Sequence, residues 1–334
     1  MTKPTIETRV QWSKGRKRAR VRKRFGPVTY AALIIGAAIF IRAAIIVIGA
    51  LSPPPDPAHP TQSVSYLGVY EPDAPGSYTG IDQFARAIGR QPNVVVYYSR
   101  WLAPFDVRFA TEAAKHGAVT LVQIAPRNVS LASIASGRYD AYLRSYALAV
   151  KAFGARVILS FGHEMNGTWN SWGFRHTPAT VFVAAWRHIV TIFRNLGTRN
   201  VTWLWTINIV DNLPDVTGPA PWWPGSSYVN WVGIDGYYYG WSETFASLFG
   251  ATIADVRSLT GDPILIAETG ASVSADQPAK IADLFAGVRA FGLLGFVLFD
   301  QDGVKQIQSW RIKSPAAFSA LHQQIKAYMK SPSS

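Results

Sequence analysis

Between residues 64 and 330, eight short runs of β-branched and aromatic residues alternate with segments of helical periodicity. No other feature constrains the fold as strongly. The runs predict strands at 64–70, 93–99, 118–124, 156–162, 201–207, 229–235, 263–268 and 293–300. Helices are expected near 81–89, 106–116, 139–153, 178–196, 243–259, 278–291 and 315–330. Strand–helix repetition implies parallel strands joined by crossover helices. Eight such strands, each a nearly continuous apolar run, favour an α/β fold closed into a (β/α)8 TIM barrel over an open sheet. The weakest repeat is 208–228, a Pro/Gly-rich link between the fifth and sixth strands. Neither a G-x-G-x-x-G turn after the first strand nor a P-loop occurs, so nothing favours a nucleotide-binding doubly wound sheet.

The first 63 residues are built differently. Residues 1–51 hold eleven of the 33 Lys and Arg against a single acid, Glu7, so most of the formal charge of +13 belongs to this tail. The remaining residues are nearly balanced, and nucleic-acid binding by the main domain is not expected. Residues 28–51 are apolar and, as a helix, span about 36 Å, enough for a hydrocarbon core of roughly 30 Å. Arg42 interrupts them, at an insertion cost of about 2.5–3.5 kcal/mol that the surrounding Ile, Leu and Phe side chains offset. The expected organisation is a basic cytoplasmic tail (1–27), a transmembrane helix (28–51) inserted in the lipid bilayer, a Pro-rich linker (52–63) and an extracytoplasmic barrel domain (64–330). The alternative is secretion after cleavage of a signal peptide. Cysteine is absent, which excludes disulfides, thiolate metal sites and a cysteine nucleophile. With no HExxH, EF-hand loop or histidine cluster, neither metal nor cofactor is expected.

In a parallel barrel, polar residues at the C-terminal ends of strands are functional candidates. Glu164 closely follows the fourth strand in FGHEMNGTWNSWG (161–173), and Glu268 ends the seventh in ILIAETG (264–270). An unpaired carboxylate at the end of an apolar strand is costly, and two facing across a cleft can cleave a glycosidic bond. One must be protonated to assist the leaving oxygen while the other is ionised, so their surroundings must separate their pKa values. His163 and Asn166 adjoin the first glutamate, and Asn166 is placed to hold a sugar hydroxyl. Trp169, Trp172, the Trp222–Trp223 pair in PAPWWPG, Tyr237 and Trp241 supply aromatic faces that stack on a pyranose ring or else cap the barrel core. Trp203 and Trp205 alternate along the fifth strand and are better read as core. Asp300 and Asp302, at the end of the eighth strand, either bind substrate or form a solvated loop pair.

FGHEMNGTWNSWG resembles the acid/base segment of family 26 glycoside hydrolases, best known as β-mannanases. IAETG resembles that family's nucleophile segment, and VNWVGIDGYYYG (229–240) its sixth strand. The likeness covers about residues 64–325. It implies a retaining double displacement on a β-linked polysaccharide, with Glu164 as general acid/base and Glu268 as nucleophile, their carboxyls about 5–5.5 Å apart. It further implies that Tyr237 bonds the nucleophile, that His163 and Trp169 line the site, and that Asn208 lies near it. Three positions depart from the pattern. Many relatives have Arg at Ser160, Glu-Pro-Trp at Ala125-Pro126-Arg127, and Trp near Phe299-Asp300. These are positions that grip the sugar, so a changed glycan is expected, and the rival reading is a catalytically silent glycan-binding or export accessory. Nothing in the sequence specifies an oligomeric state.

Overall fold

The computed structural model describes residues 65–210, 214–303 and 308–329. The tail, membrane helix and linker expected at 1–63 lie outside the described residues. Among those described, no helix is long and apolar enough to cross a membrane.

Eight parallel strands close into a barrel in sequence order. They are β1 (Tyr66–Tyr70), β2 (Val94–Arg100), β3 (Val119–Ala125), β4 (Val157–Phe161), β5 (Val201–Asn208), β6 (Trp231–Asp235), β7 (Ile264–Thr269) and β8 (Gly295–Phe299). Closure is made by β1 pairing with β8 from Tyr66↔Gly295 to Tyr70↔Phe299. Around the barrel run α1 (Thr79–Ile88), α2 (Val107–Lys115), α3 (Leu131–Ala135), α4 (Asp140–Phe153), α5 (Ala179–Asn195), α6 (Phe245–Leu259), α7 (Gln277–Ala290) and α8 (Pro315–Tyr328). The short α3 has no counterpart in the expected pattern, because five residues are too few to display a helical period. Where 208–228 showed no helix, two 3₁₀ turns stand instead, at Ala220–Trp222 and Ser226–Tyr228.

The helices form where apolar spacing and end signals agree. In α1, Ile81, Phe84, Ala85 and Ile88 bury one face, and Gly89 stops the helix with the left-handed φ of +68° that glycine tolerates. Asp106 caps α2 by accepting from the Phe109 amide at 2.8 Å. Thr244 and Ser247 form a reciprocal capping box at the start of α6.

Alternation along the strands divides the core in two. Outward residues pack against the helices. Inward ones (Val94, Val96, Leu121, Ile158, Leu204, Leu265, Ala267, Val297) fill the barrel. Gly233 leaves space in that interior: a Cβ there would sit 2.7 Å from Thr206 Oγ1 and 2.9 Å from the Ala267 Cβ. Towards the C-terminal mouth the interior turns polar, with Gln123, Ser160, Thr206 and Asp235 all fully buried. That layer supports the candidate site.

Candidate active site

A bulge in β7 aims the seventh-strand glutamate. Leu265 and Ala267 both point into the barrel, so strict alternation would turn Glu268 outward. The register with β6 slips by one residue between Ile234↔Ile266 and Asp235↔Glu268, and a second irregularity follows against β8. Such an extra residue re-aims a side chain, and here Glu268 is delivered to the mouth. Its Oε1 accepts from the Tyr237 hydroxyl and its Oε2 from the Tyr98 hydroxyl.

Glu164 arrives by a turn. Gly162 and Glu164 both adopt left-handed backbone, with φ of +58° and +55°. For a glutamate this conformation is strained, by about 1–3 kcal/mol, and persists only where the surroundings enforce it. Here its amide donates to the Thr206 carbonyl at 2.9 Å and its carbonyl accepts from the Gly167 amide at 3.1 Å. Its carboxylate accepts from Asn208 Nδ2 at 2.6 Å and from Trp169 Nε1 at 2.7 Å. Asn208 is the last residue of β5, and Asn166 fixes it. Asn166 Nδ2 donates to the Asn208 carbonyl, and Asn166 Oδ1 accepts from the Asn208 amide, each at 2.8 Å.

Burial dominates the electrostatics. It raises Glu268 from 4.5 to about 7, assisted by the charge of Glu164 and opposed by the two tyrosine hydrogen bonds. Glu164 is also raised by burial, while Asn208 and Trp169 stabilise its ionised form. Asp235 sits beneath both at the end of β6, fully buried, with neither oxygen hydrogen-bonded. Burial and the charges of Glu268 and Glu164 hold it well above the usual carboxylate range. No lysine or arginine contributes to any of the three; the charge of Glu164 raises Glu268 and Asp235, and that of Glu268 raises Asp235. Two coupled carboxyls with separate hydrogen-bond partners can share one proton, and acid/base work at a glycosidic bond needs that state.

Residues 141–274 match the glycosyl hydrolase family 26 model, a span containing Glu164, Asn208, Tyr237 and Glu268. Endoglucanase H of Acetivibrio thermocellus is 29% identical over 273 residues, 77% of this chain, which spans only 30% of that relative's length. Among solved structures, the YdhT protein of Bacillus subtilis superposes with a TM-score of 0.62 at 15% identity, covering 81% of this chain and 87% of that one. Bacillus subtilis mannanase BCman gives 0.60 at 20% identity, covering 79% and 86%. Likeness at these identities establishes the shared barrel.

The remaining expected residues divide into those at the site and those beneath it. His163 is buried between the rings of Tyr98, 5.4 Å away, and Trp172, 5.7 Å away. Burial and nearby Arg127 push its pKa down to about 3, so it is neutral. Asn166, expected to hold a sugar hydroxyl, is fully buried and holds Asn208 instead, because its amide is committed to backbone. Trp172, expected on the binding surface, is buried and donates to the His163 carbonyl at 2.9 Å. Trp222 is likewise covered, against Phe174, and Trp223 is half-buried edge-on to Trp205 at 5.0 Å. Their 3₁₀ turn folds the loop back onto the barrel, so PAPWWPG does not present two open indoles. Trp241, by contrast, is 83% exposed on the loop after β6.

Asp300, expected to bind sugar or to be solvated, does neither. It is buried, accepts from the Ile312 amide at 2.8 Å, and interacts with Glu71. Glu71 is pushed up to about 8 by burial and by Asp300. Arg311 bonds Glu71 at 2.9 Å and the Asp300 carbonyl at 3.0 Å, closing a cluster that ties down the segment after β8. Asp302 is exposed and pairs with Lys313.

Of the departures, Ser160 bonds Thr206 at 2.9 Å, and a neutral layer continues through Gln123, its register neighbour. Phe299 stacks on Tyr70 with centroids 4.5 Å apart. A tryptophan does reach this corner, but from the loop after β8: Trp310 packs on Tyr237 at 4.5 Å. Sequence reasoning missed Tyr98, Asp235 and Trp310. The first two were detectable as polar groups at the inward ends of β2 and β6, whereas Trp310 carried no local signal.

Proposed function

We propose that this chain is a retaining endo-β-glycanase acting on a β-linked polysaccharide. The observation that carries the reading is the asymmetric pair: Glu268 held by two tyrosine hydroxyls and raised by the charge of Glu164, and Glu164 held by Asn208 and Trp169. In the first step the Glu268 carboxylate attacks the anomeric carbon, the glycosidic C–O bond breaks, and Glu164 gives its proton to the departing oxygen. In the second, Glu164 takes a proton from water as the water oxygen displaces Glu268, restoring both groups. Burial and the charges of both glutamates favour the neutral form of Asp235 beneath them, which limits the negative charge that opposes ionisation of the nucleophile.

β-Mannan and β-glucan are the leading backbones, in keeping with the names of the mannanase and endoglucanase relatives. The exposed Trp241 offers a stacking face for a ring beyond the cleavage point. Residues 28–51 would anchor the enzyme in the membrane with the barrel outside, a reading supported by their apolar length and the basic flank before them. The test is hydrolysis of a polysaccharide panel by the wild type and the Glu268→Gln variant, with proton NMR of fresh product. Retained anomers and a loss of about 10³-fold or more in Glu268→Gln support the reading; inverted anomers or wild-type turnover in the variant end it.

A further inference from the structure

Two arginines stand at the mouth of the barrel without acidic partners among the described residues. Arg100 ends β2, where alternation through Val94, Val96 and Tyr98 places it on the inward side, one step above the tyrosine that bonds Glu268. Arg127 follows β3 by two residues, and its guanidinium lies 5.6 Å above the Trp172 ring. Contacts then run from Trp172 to His163 and from His163 to Tyr98, so Arg127 is linked by packing to the catalytic pair. The two guanidiniums are close enough for Arg100 to act on Arg127 as a like charge. Among the described residues neither has a carboxylate within salt-bridge distance, whereas Arg311 and Arg144 are paired. Neutral His163 adds nothing to this positive patch.

Adjacent like charges beside a cleft repel, and nothing among the described residues offsets them. A ligand oxyanion would, and the planar guanidinium fork suits carboxylate and sulfate geometry. We infer that Arg100 and Arg127 form an anion-binding subsite beside the catalytic pair, and that the natural substrate is an acidic polysaccharide carrying carboxylate or sulfate groups near the cleaved bond. This rests on the glycanase reading for its substrate class but is tested apart from turnover.

The experiment uses the full chain carrying Glu268→Gln, in affinity electrophoresis through carboxymethylated, sulfated and hydroxyethylated β-1,4-glucan and β-1,4-mannan at matched substitution. An anionic polymer should retain the protein about tenfold more tightly than the neutral one, the scale of one charge-assisted contact. Arg100→Gln and Arg127→Gln should each reduce that ratio, and the double variant should bring it near one. Arg194→Gln with Arg199→Gln removes the same charge at the opposite end of the barrel and should keep the ratio. Whichever anionic polymer is held more tightly identifies the group. Equal retention of charged and neutral polymers, or an equal loss in the Arg194/Arg199 control, overturns the inference. Selective anion retention by a chain whose wild type hydrolyses nothing would leave the subsite standing while refuting the glycanase. Hydrolysis of neutral polymer with a ratio of one would do the reverse.

Discussion

Replacing Glu268, the proposed nucleophile, should stabilise the protein, and only above a defined pH. Glu268 is raised from 4.5 to about 7, chiefly by burial. A carboxyl raised in the folded state favours folding below its unfolded value, and that contribution is lost as pH rises through the folded value. The difference between 4.5 and about 7 corresponds to roughly 3 kcal/mol of ionisation cost borne by the wild type above neutral pH. Glutamine has the same shape, carries no charge, and can still pair with the Tyr237 and Tyr98 hydroxyls. Glu268→Gln should therefore melt close to wild type at pH 4.5 and pull ahead between pH 4.5 and 7. Above that it should hold a lead of roughly 6–12 °C, at about 2–4 °C per kcal/mol for a domain of this size. Scanning calorimetry of both proteins from pH 4 to 9 measures this. A melting difference that does not grow with pH, or a variant less stable than wild type at pH 9, would refute the burial argument.

Three further outcomes follow from the same geometry. The rising limb of the pH–rate profile should lie above the usual carboxylate range, because buried Glu268 must lose its proton to attack while Glu164 keeps its own; a limb below pH 4.5 would contradict this. Tyr98→Phe removes one of two bonds that favour ionised Glu268, so that limb should move to higher pH and kcat should fall about tenfold or more, with the other limb unmoved. Asn166→Ala frees Asn208 from its backbone clamp and should destabilise the fold by about 1–3 kcal/mol in urea melts while lowering kcat more than it changes KM.

The barrel was legible because its strands are covered on both faces. Buried parallel strands become continuous apolar runs, and each of the eight lies within about two residues of its expected ends. The two glutamates were legible for the related reason that an acid at the end of such a run is conspicuous. What could not be seen depends on three-dimensional offsets. The bulge that turns Glu268 inward is a register slip between strands, with no signature along one strand. Trp172 and Trp222 are as aromatic as Trp241, and only the path of their loops decides that the first two are covered and the third exposed. Trp310 lies eleven residues past Phe299 yet packs on Tyr237, because Arg311 and Asp300 fasten that segment to the barrel rim.

The central claim is that Glu268 attacks sugar while Glu164 supplies the proton. Incubation with 2-deoxy-2-fluoro β-glycosyl fluorides of mannobiose and cellobiose, followed by mass spectrometry of proteolytic peptides, tests it most directly. A covalent glycosyl label on the peptide carrying Glu268, absent in Glu268→Gln, is the predicted result. A label on any other side chain, or labelling that persists in Glu268→Gln, would contradict it.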